Sequence, residues 1–353
     1  MTATESSSVV FKATRRNRLQ VFPVAARSLG LLLGLAGVVL VGLLGLRIGS
    51  IEVTTQEVWN ALFHYNPQSY DETVIRSLRL PRTVIALAVG GGLAIAGAMM
   101  QAVTRNPLAG PSILGVSSGA SFAIVTAIYY GGLTSTNQYV WFSFAGALGA
   151  SALVFAIGSA GNGGPSPVKL ALAGVVVSAL LAAWTSALLL LDQETLDVVR
   201  FWLAGSVAGR DFATFWSVSP FLIGGAVACI FMGHQLNVLS MGEDTARSLG
   251  MRTGRARLIC AVLVVLITGA AVAVAGPIGF VGLATPHIVR SVVGPDYRWV
   301  LPYSLVFGAI LLTGADVLGR VVVRPAELQV GIITALVGAP FLVYLARHRT
   351  ITN

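Results

Sequence analysis

Long uncharged apolar runs set the first limit on this fold. Residues 28–46 and 139–160 hold no Asp, Glu, Lys or Arg, and 256–275 holds only Arg257, next to its start. Each run is about 20 residues, the length an α-helix needs to cross the hydrocarbon core of a bilayer. A backbone in lipid must satisfy its own N–H and C=O groups, which leaves helices and closed barrels. A transmembrane barrel would show short alternating strands, and the sequence has no such pattern. The sequence therefore predicts an all-α polytopic membrane protein. Composition agrees: 55% of the 353 residues are hydrophobic and 10% are charged, against about 25% charged in a soluble domain.

Ten membrane-embedded segments are predicted, at 28–46, 83–103, 112–130, 139–160, 168–191, 213–233, 256–275, 278–293, 299–319 and 328–346. Residues 197–208 can form a helix but are too short to span, and "VWNALFHY" in the 47–82 loop suggests a short surface helix. With the N-terminus inside, 15 of the 23 basic residues fall in inner segments and eight in outer ones. That asymmetry places both termini in the cytoplasm. Lys12, Arg15, Arg16, Arg18 and Arg27 precede the first span. They mark residues 1–27 as a retained cytoplasmic tail, because the apolar run is too long for a signal peptide and lacks a clean cleavage site. A second short tail is expected at 348–353.

The membrane interior holds little chemistry. No Asp, Glu, Lys or Arg lies at the centre of a predicted span, and Asp316 sits near the outer end of the ninth. Ion-coupled carriers usually keep buried charges despite a cost of roughly 2.5–3.5 kcal/mol each, so their absence argues against a secondary transporter. Cys229 and Cys260 lie in apolar stretches without ligand-spaced partners, and His287 lacks a second ligand, so no metal site is implied. The only lysines, Lys12 and Lys169, follow no G-x-x-x-x-G pattern, so the chain has no Walker A phosphate cradle. The high isoelectric point reads as membrane orientation rather than nucleic-acid binding.

Three interrupted stretches carry the remaining information. "RNPLAGPSILG" at 105–115 is broken by proline and glycine, with Asn106 and Ser112 as candidate caps. "GPIGFVGLATPHIVR" at 276–290 is apolar enough for the membrane yet broken, which requires surrounding protein or a water-filled cavity. "LSMGEDTARSLGM" at 239–251 is a polar insert between apolar runs. Gly242 and Gly250 bound a short helix there, Glu243 can pair with Arg247 at i, i+4, and Ala246 and Leu249 are expected on one face. Such an element, turned to the cytosol, suits docking to a soluble partner.

Together with Arg79-Leu80-Pro81-Arg82 and "ELQVGIITALVGAPFLVYL" at 327–345, these stretches resemble the FecCD-type permease subunits of iron–siderophore, haem and cobalamin ABC importers. The resemblance runs from about 28 to 347 and implies a type II ABC importer permease fold of ten transmembrane helices in the cytoplasmic (inner) membrane. It implies a second permease, identical or paralogous, and two ATPase subunits that bind ATP and Mg, with no cofactor in this chain. A periplasmic or lipid-anchored binding protein would deliver the substrate, with ferric siderophore ahead of haem or cobalamin. The coupling loop to the ATPase would be about 236–254, with Gly242, Glu243, Ala246, Leu249 and Gly250 at the matched positions. Arg79, Arg82 and Arg320 would pair with acidic residues of the binding protein. Ser166, Pro167 and Val168 would form the inner gate, with the path lined by the fifth span, the short helix after it and part of the tenth.

Overall fold

The computed structural model describes residues 23–49, 51–133, 136–160 and 167–349. Residues 1–22 of the expected N-terminal tail, Ser166 of the expected gate and residues 350–353 lie outside the described residues. In chain order the helices are α1 (Val24–Arg47), α2 (Thr55–Phe63), α3 (Tyr70–Val74), α4 (Leu80–Thr104), α5 (Val116–Gly131), α6 (Thr136–Ser159), α7 (Pro167–Leu191) and α8 (Gln193–Leu203). They continue with α9 (Phe212–Phe231), α10 (Gly233–Ser240), α11 (Glu243–Ser248), α12 (Thr253–Ala275), α13 (Val281–Val293), α14 (Tyr297–Val322) and α15 (Val330–Arg349). No strand occurs among the described residues.

Each of the ten predicted segments coincides with one of these helices. Among the described residues, seven helical stretches are long and apolar enough to span, and α13 and the apolar part of α15 are shorter. The surface helix of the 47–82 loop is α2, fixed by a reciprocal cap in which Thr54 and Glu57 bond each other's backbone N–H. The segment expected at 197–208 begins earlier, at Gln193, because the Asp192 side chain accepts from the Thr195 N–H and starts α8 there.

Helix α4 is the axis of the fold, nearly fully buried and packed against α14, α12 and α13. Its small residues permit that. A Cβ on Gly97 would stand 1.7 Å from the Gly282 carbonyl oxygen of α13, and one on Gly90 would stand 2.3 Å from the Gly308 oxygen of α14. Backbones meet directly at these points, as in membrane helix pairs packed through small residues. The helix is entered through a widened turn, Ile75–Arg79, in which Leu80 N–H donates to the Ile75 carbonyl five residues back. Pro81 lies at the start of α4 and has no N–H to continue an α-type ladder into the preceding turn.

The break at 276–280 is partly buried and lines a cavity, a setting in which irregular backbone is tolerated in a membrane protein. Ser206 N–H donates to the last carbonyl of α12, at Ala275 (2.8 Å), and Gly331 N–H donates to Gly205 O (3.0 Å). The segment after α8 therefore ties α12 to the start of α15. In the other interrupted stretch, Asn106 closes a turn by accepting from Leu108 N–H. Ser112 makes no cap bond: Pro111–Leu114 is a short 3-10 turn entered from Gly110, and α5 starts after it at Val116.

A charge cluster locks the predicted outer end. Three carbonyls of the last turn of α1 would be orphaned there, and two arginines satisfy them. Arg79 donates to Leu46 O (3.0 Å), Arg47 O (2.7 Å) and Ile51 O (2.6 Å), and Arg320 donates to Gly45 O (2.7 Å) and Ile48 O (3.2 Å). Positive charge at a helix C-terminus is also favoured by the helix dipole. Asp316, with its side chain 1% exposed, pairs with Arg320 four residues on and takes three further bonds from Arg82, one at 2.8 Å and two at 3.1 Å. Arg82 reaches Glu327 as well (2.6 Å).

Removing one partner of a buried pair strands the other charge, at a cost of about 3–5 kcal/mol. We therefore expect Asp316→Ala to lower the thermal unfolding midpoint of the detergent-purified chain sharply. Glu327→Gln, at a partly exposed position, should cost on the order of 1 kcal/mol or less. Equal midpoints for the two variants would refute the assignment of Asp316 as the centre of the cluster.

Candidate functional site

The polar insert is a built element. Gly242 opens α11 at φ +117° and Gly250 follows it at φ +80°, backbone angles that glycine adopts without a Cβ penalty. The C-terminal end closes with two bonds, Gly250 N–H to Arg247 O (2.9 Å) and Met251 N–H to Ala246 O (3.0 Å). This is the Schellman arrangement. The expected Glu243–Arg247 pair forms at 2.6 Å, and the second Glu243 oxygen accepts from Arg257 of α12 at 3.0 Å.

The five matched positions do different jobs. Glu243 is turned inward, holding α11 to α12, and Ala246 is fully buried. Leu249 is 63% exposed, which corrects the expectation that it shares a face with Ala246. The helix ends at Ser248, so Leu249 has already left the helical register as the capping residue. From Gly242 to Gly250, the exposed residues of the insert are Asp244, Thr245, Arg247, Ser248, Leu249 and Gly250.

Beneath it, α10 fastens the insert to the bundle. Asn237 donates to Asp296 (2.7 Å) and accepts from Tyr297 N–H (2.8 Å) at the start of α14. The Arg298 guanidinium, bonded to the Asp296 carboxylate, pulls that carboxyl down to about 2, with the Asn237 bond assisting against partial burial. This clamp was not foreseen from the sequence. Its two partners, Asn237 and Asp296, lie 59 residues apart in the chain.

At the opposite end, Arg79, Arg82 and Arg320 were expected to present charge to a partner. The structure places all three inside, saturated by the carbonyls and carboxylates described above. The reason is local: the α1 carbonyls and Asp316 lie within their reach, and a buried guanidinium must be satisfied. The exposed cations at this end include Arg47, Arg76, Arg200 and Arg324, with Arg76 seated over the Tyr65 ring at 4.6 Å.

Of the expected gate, Pro167 is the first residue of α7 and Val168 is 68% exposed. Val168 begins an apolar strip with Leu172, Val175, Val176, Leu180 and Trp184 that is left exposed among the described residues. On α15, Leu336 and Val337 are similarly bare. A cavity of about 340 Å³ lies between the 108–117 turn and the broken 277–283 segment. Among the described residues, no group of three His, Cys, Asp or Glu could hold a metal ion. His287 instead meets the Phe341 ring edge to face.

Comparison with known proteins places this geometry. The chain is 46% identical over 308 residues to the ferric enterobactin transport system permease protein FepD of Escherichia coli (strain K12), covering 87% of this chain and 91% of that protein. It is 45% identical over 324 residues to the iron(3+)-hydroxamate import system permease protein FhuB of Bacillus subtilis (strain 168), covering 90% and 83%. Among solved structures, an inward-facing metal-chelate type ABC transporter superposes with a TM-score of 0.80 at 29% identity, over 91% of this chain and 99% of that one. Residues 30–348 match the profile of the FecCD transport family, and the chain belongs to that family.

Proposed function

We propose that this chain is the membrane permease of an ATP-driven importer of ferric siderophores. The observation that carries the cargo class is the relation over most of both chains to two permeases named for ferric siderophore import. The chain would sit in the inner membrane with both termini in the cytoplasm, the orientation favoured by its basic residues. Two such permeases would face each other across the apolar strips of α7 and α15. Bare Val, Leu and Trp in that number on one surface are covered by a partner or by lipid. Val168, with Pro167 and Ser166 before it, would narrow the inner mouth between them.

No phosphate cradle exists in this sequence, so ATP and Mg would be bound by two partner subunits. These would grip Asp244, Thr245, Ser248 and Leu249, while Gly242, Glu243, Ala246 and Gly250 shape and hold the segment. Closure of the ATPases would then rock the bundle through the Glu243–Arg257 and Asn237–Asp296 connections. Substrate passes without covalent chemistry. The binding protein would engage the outer end at Arg47, Arg76 and Arg324, with Arg79, Arg82 and Arg320 supporting that surface from inside.

A strain lacking the chain should lose uptake of radiolabelled iron from ferric enterobactin or a ferric hydroxamate, and regain it on complementation. Vanadate should abolish that uptake. Normal uptake in the deletion strain, with no redundant importer present, would overturn the cargo; vanadate-insensitive, protonophore-sensitive uptake would overturn the energy source.

Charge reversal at Arg76 and Arg324 to Glu should weaken capture of the binding protein by about tenfold at low salt, and by less as salt rises. Unchanged affinity, measured with the permease complex in nanodiscs, would remove these cations from the interface.

A further inference from the structure

A second cavity lies against the inner face of the coupling segment and has a different character from the first. It holds about 290 Å³ between α4, α6, α7 and α12, the space of on the order of ten waters. Its walls are apolar, including Met100, Val103, Phe155, Leu170, Leu258 and Ala261, while Glu243, Arg247 and Arg257 stand on one side. We propose that this cavity binds an anionic phospholipid of the leaflet at this end. An acyl segment would lie between α6 and α12, with the phosphate at Arg257 and Arg247.

Charge is the first ground. One carboxylate, Glu243, is shared by two guanidiniums, which leaves one positive charge in excess. The Arg257 Nε is buried and has no hydrogen-bond acceptor, a state that costs free energy until an acceptor arrives. Exposed Arg252 and Arg255 flank the site. Helix α12 begins at Thr253 with no side-chain cap, so its dipole adds partial positive charge on the same side. Clusters of basic residues at the end of a spanning helix are a recurrent means of holding anionic headgroups.

Continuity with the lipid-facing surface is the second ground. Leu258 is half exposed while also lining the cavity, and its neighbours Ile259 and Val262 are half exposed too. On α6, Leu153 and Ile157 are exposed beside Phe155. The apolar chamber thus opens onto helix faces that meet hydrocarbon. A free anion would leave those walls unfilled, and a neutral lipid would leave the excess charge unanswered. Because the phosphate would compete with Glu243 for Arg257, occupancy sets how tightly α11 is held. That the leaflet is cytoplasmic rests on the orientation proposed above; the site itself does not.

The test is native mass spectrometry of the full-length chain titrated with phosphatidylglycerol or with phosphatidylcholine of the same acyl chains. Phosphatidylglycerol should bind about fivefold more tightly, and both Arg257→Gln and Ala261→Phe should reduce its first binding constant by about that factor. The first variant removes the cation and keeps the chamber; the second fills the chamber and keeps the cation. Arg257→Lys should retain binding, and thermal midpoints confirm that each variant is folded. Equal binding of the two lipids would overturn the proposal, as would wild-type binding in either Arg257→Gln or Ala261→Phe. Displacement by an equal concentration of inorganic phosphate would reassign the site to a free anion and overturn it too.

Discussion

Direct backbone contact along α4 is the constraint from which the rest of the structure follows. In lipid, apolar surface gains nothing by leaving hydrocarbon for a neighbouring helix, so association depends on close packing. Gly97 against Gly282 and Gly90 against Gly308 bring α13 and α14 to the minimum separation from α4. A similar meeting of Gly119 with Gly146 joins α5 to α6. With α4 encased, the broken entry to the short α13 is anchored at its start, where Ser206 N–H takes up the Ala275 carbonyl that ends α12.

The two ends of this bundle use charge differently. At one, Asp316, Arg320, Arg79 and Arg82 are spent internally on carbonyls and on each other. Such a cluster is costly to break, so α1, α4 and α14 behave as one body there. At the other, Glu243 and Arg257 hold a short helix whose outer residues remain free for a partner. Helices α7 and α15 carry bare apolar faces outside the charge-locked group, while α1 within it also leaves Leu29, Leu32, Leu33, Val39 and Leu40 exposed.

Much of this was legible from the sequence because lipid limits what a sequence can mean. Ten apolar segments became ten helices, and the glycines at 242 and 250 marked a short helix whose ends need positive φ. The pair Glu243–Arg247 followed from spacing alone. What spacing could not supply was long-range geometry. Arg79, Arg82 and Arg320 looked like a row of external cations, yet their acceptors are the end of α1 and a carboxylate 234 residues from Arg82. Leu249 looked like a helix-face residue because the helix was read as continuing one position beyond Ser248. The Gly205–Ser206–Ala275–Gly331 junction left no sequence signal, since main-chain bonds ask nothing specific of side chains.

The ion pair between Glu243 and Arg257 is the strut that fixes α11 to α12. Its role is tested most directly by ATP-driven substrate uptake into proteoliposomes carrying the complete transporter, with wild type, Glu243→Arg, and the double variant Glu243→Arg/Arg257→Glu compared. The account predicts loss in the single variant, by about tenfold or more, and substantial recovery when the exchanged charges restore the pair. A double variant as inactive as the single, or a single variant as active as wild type, would contradict it.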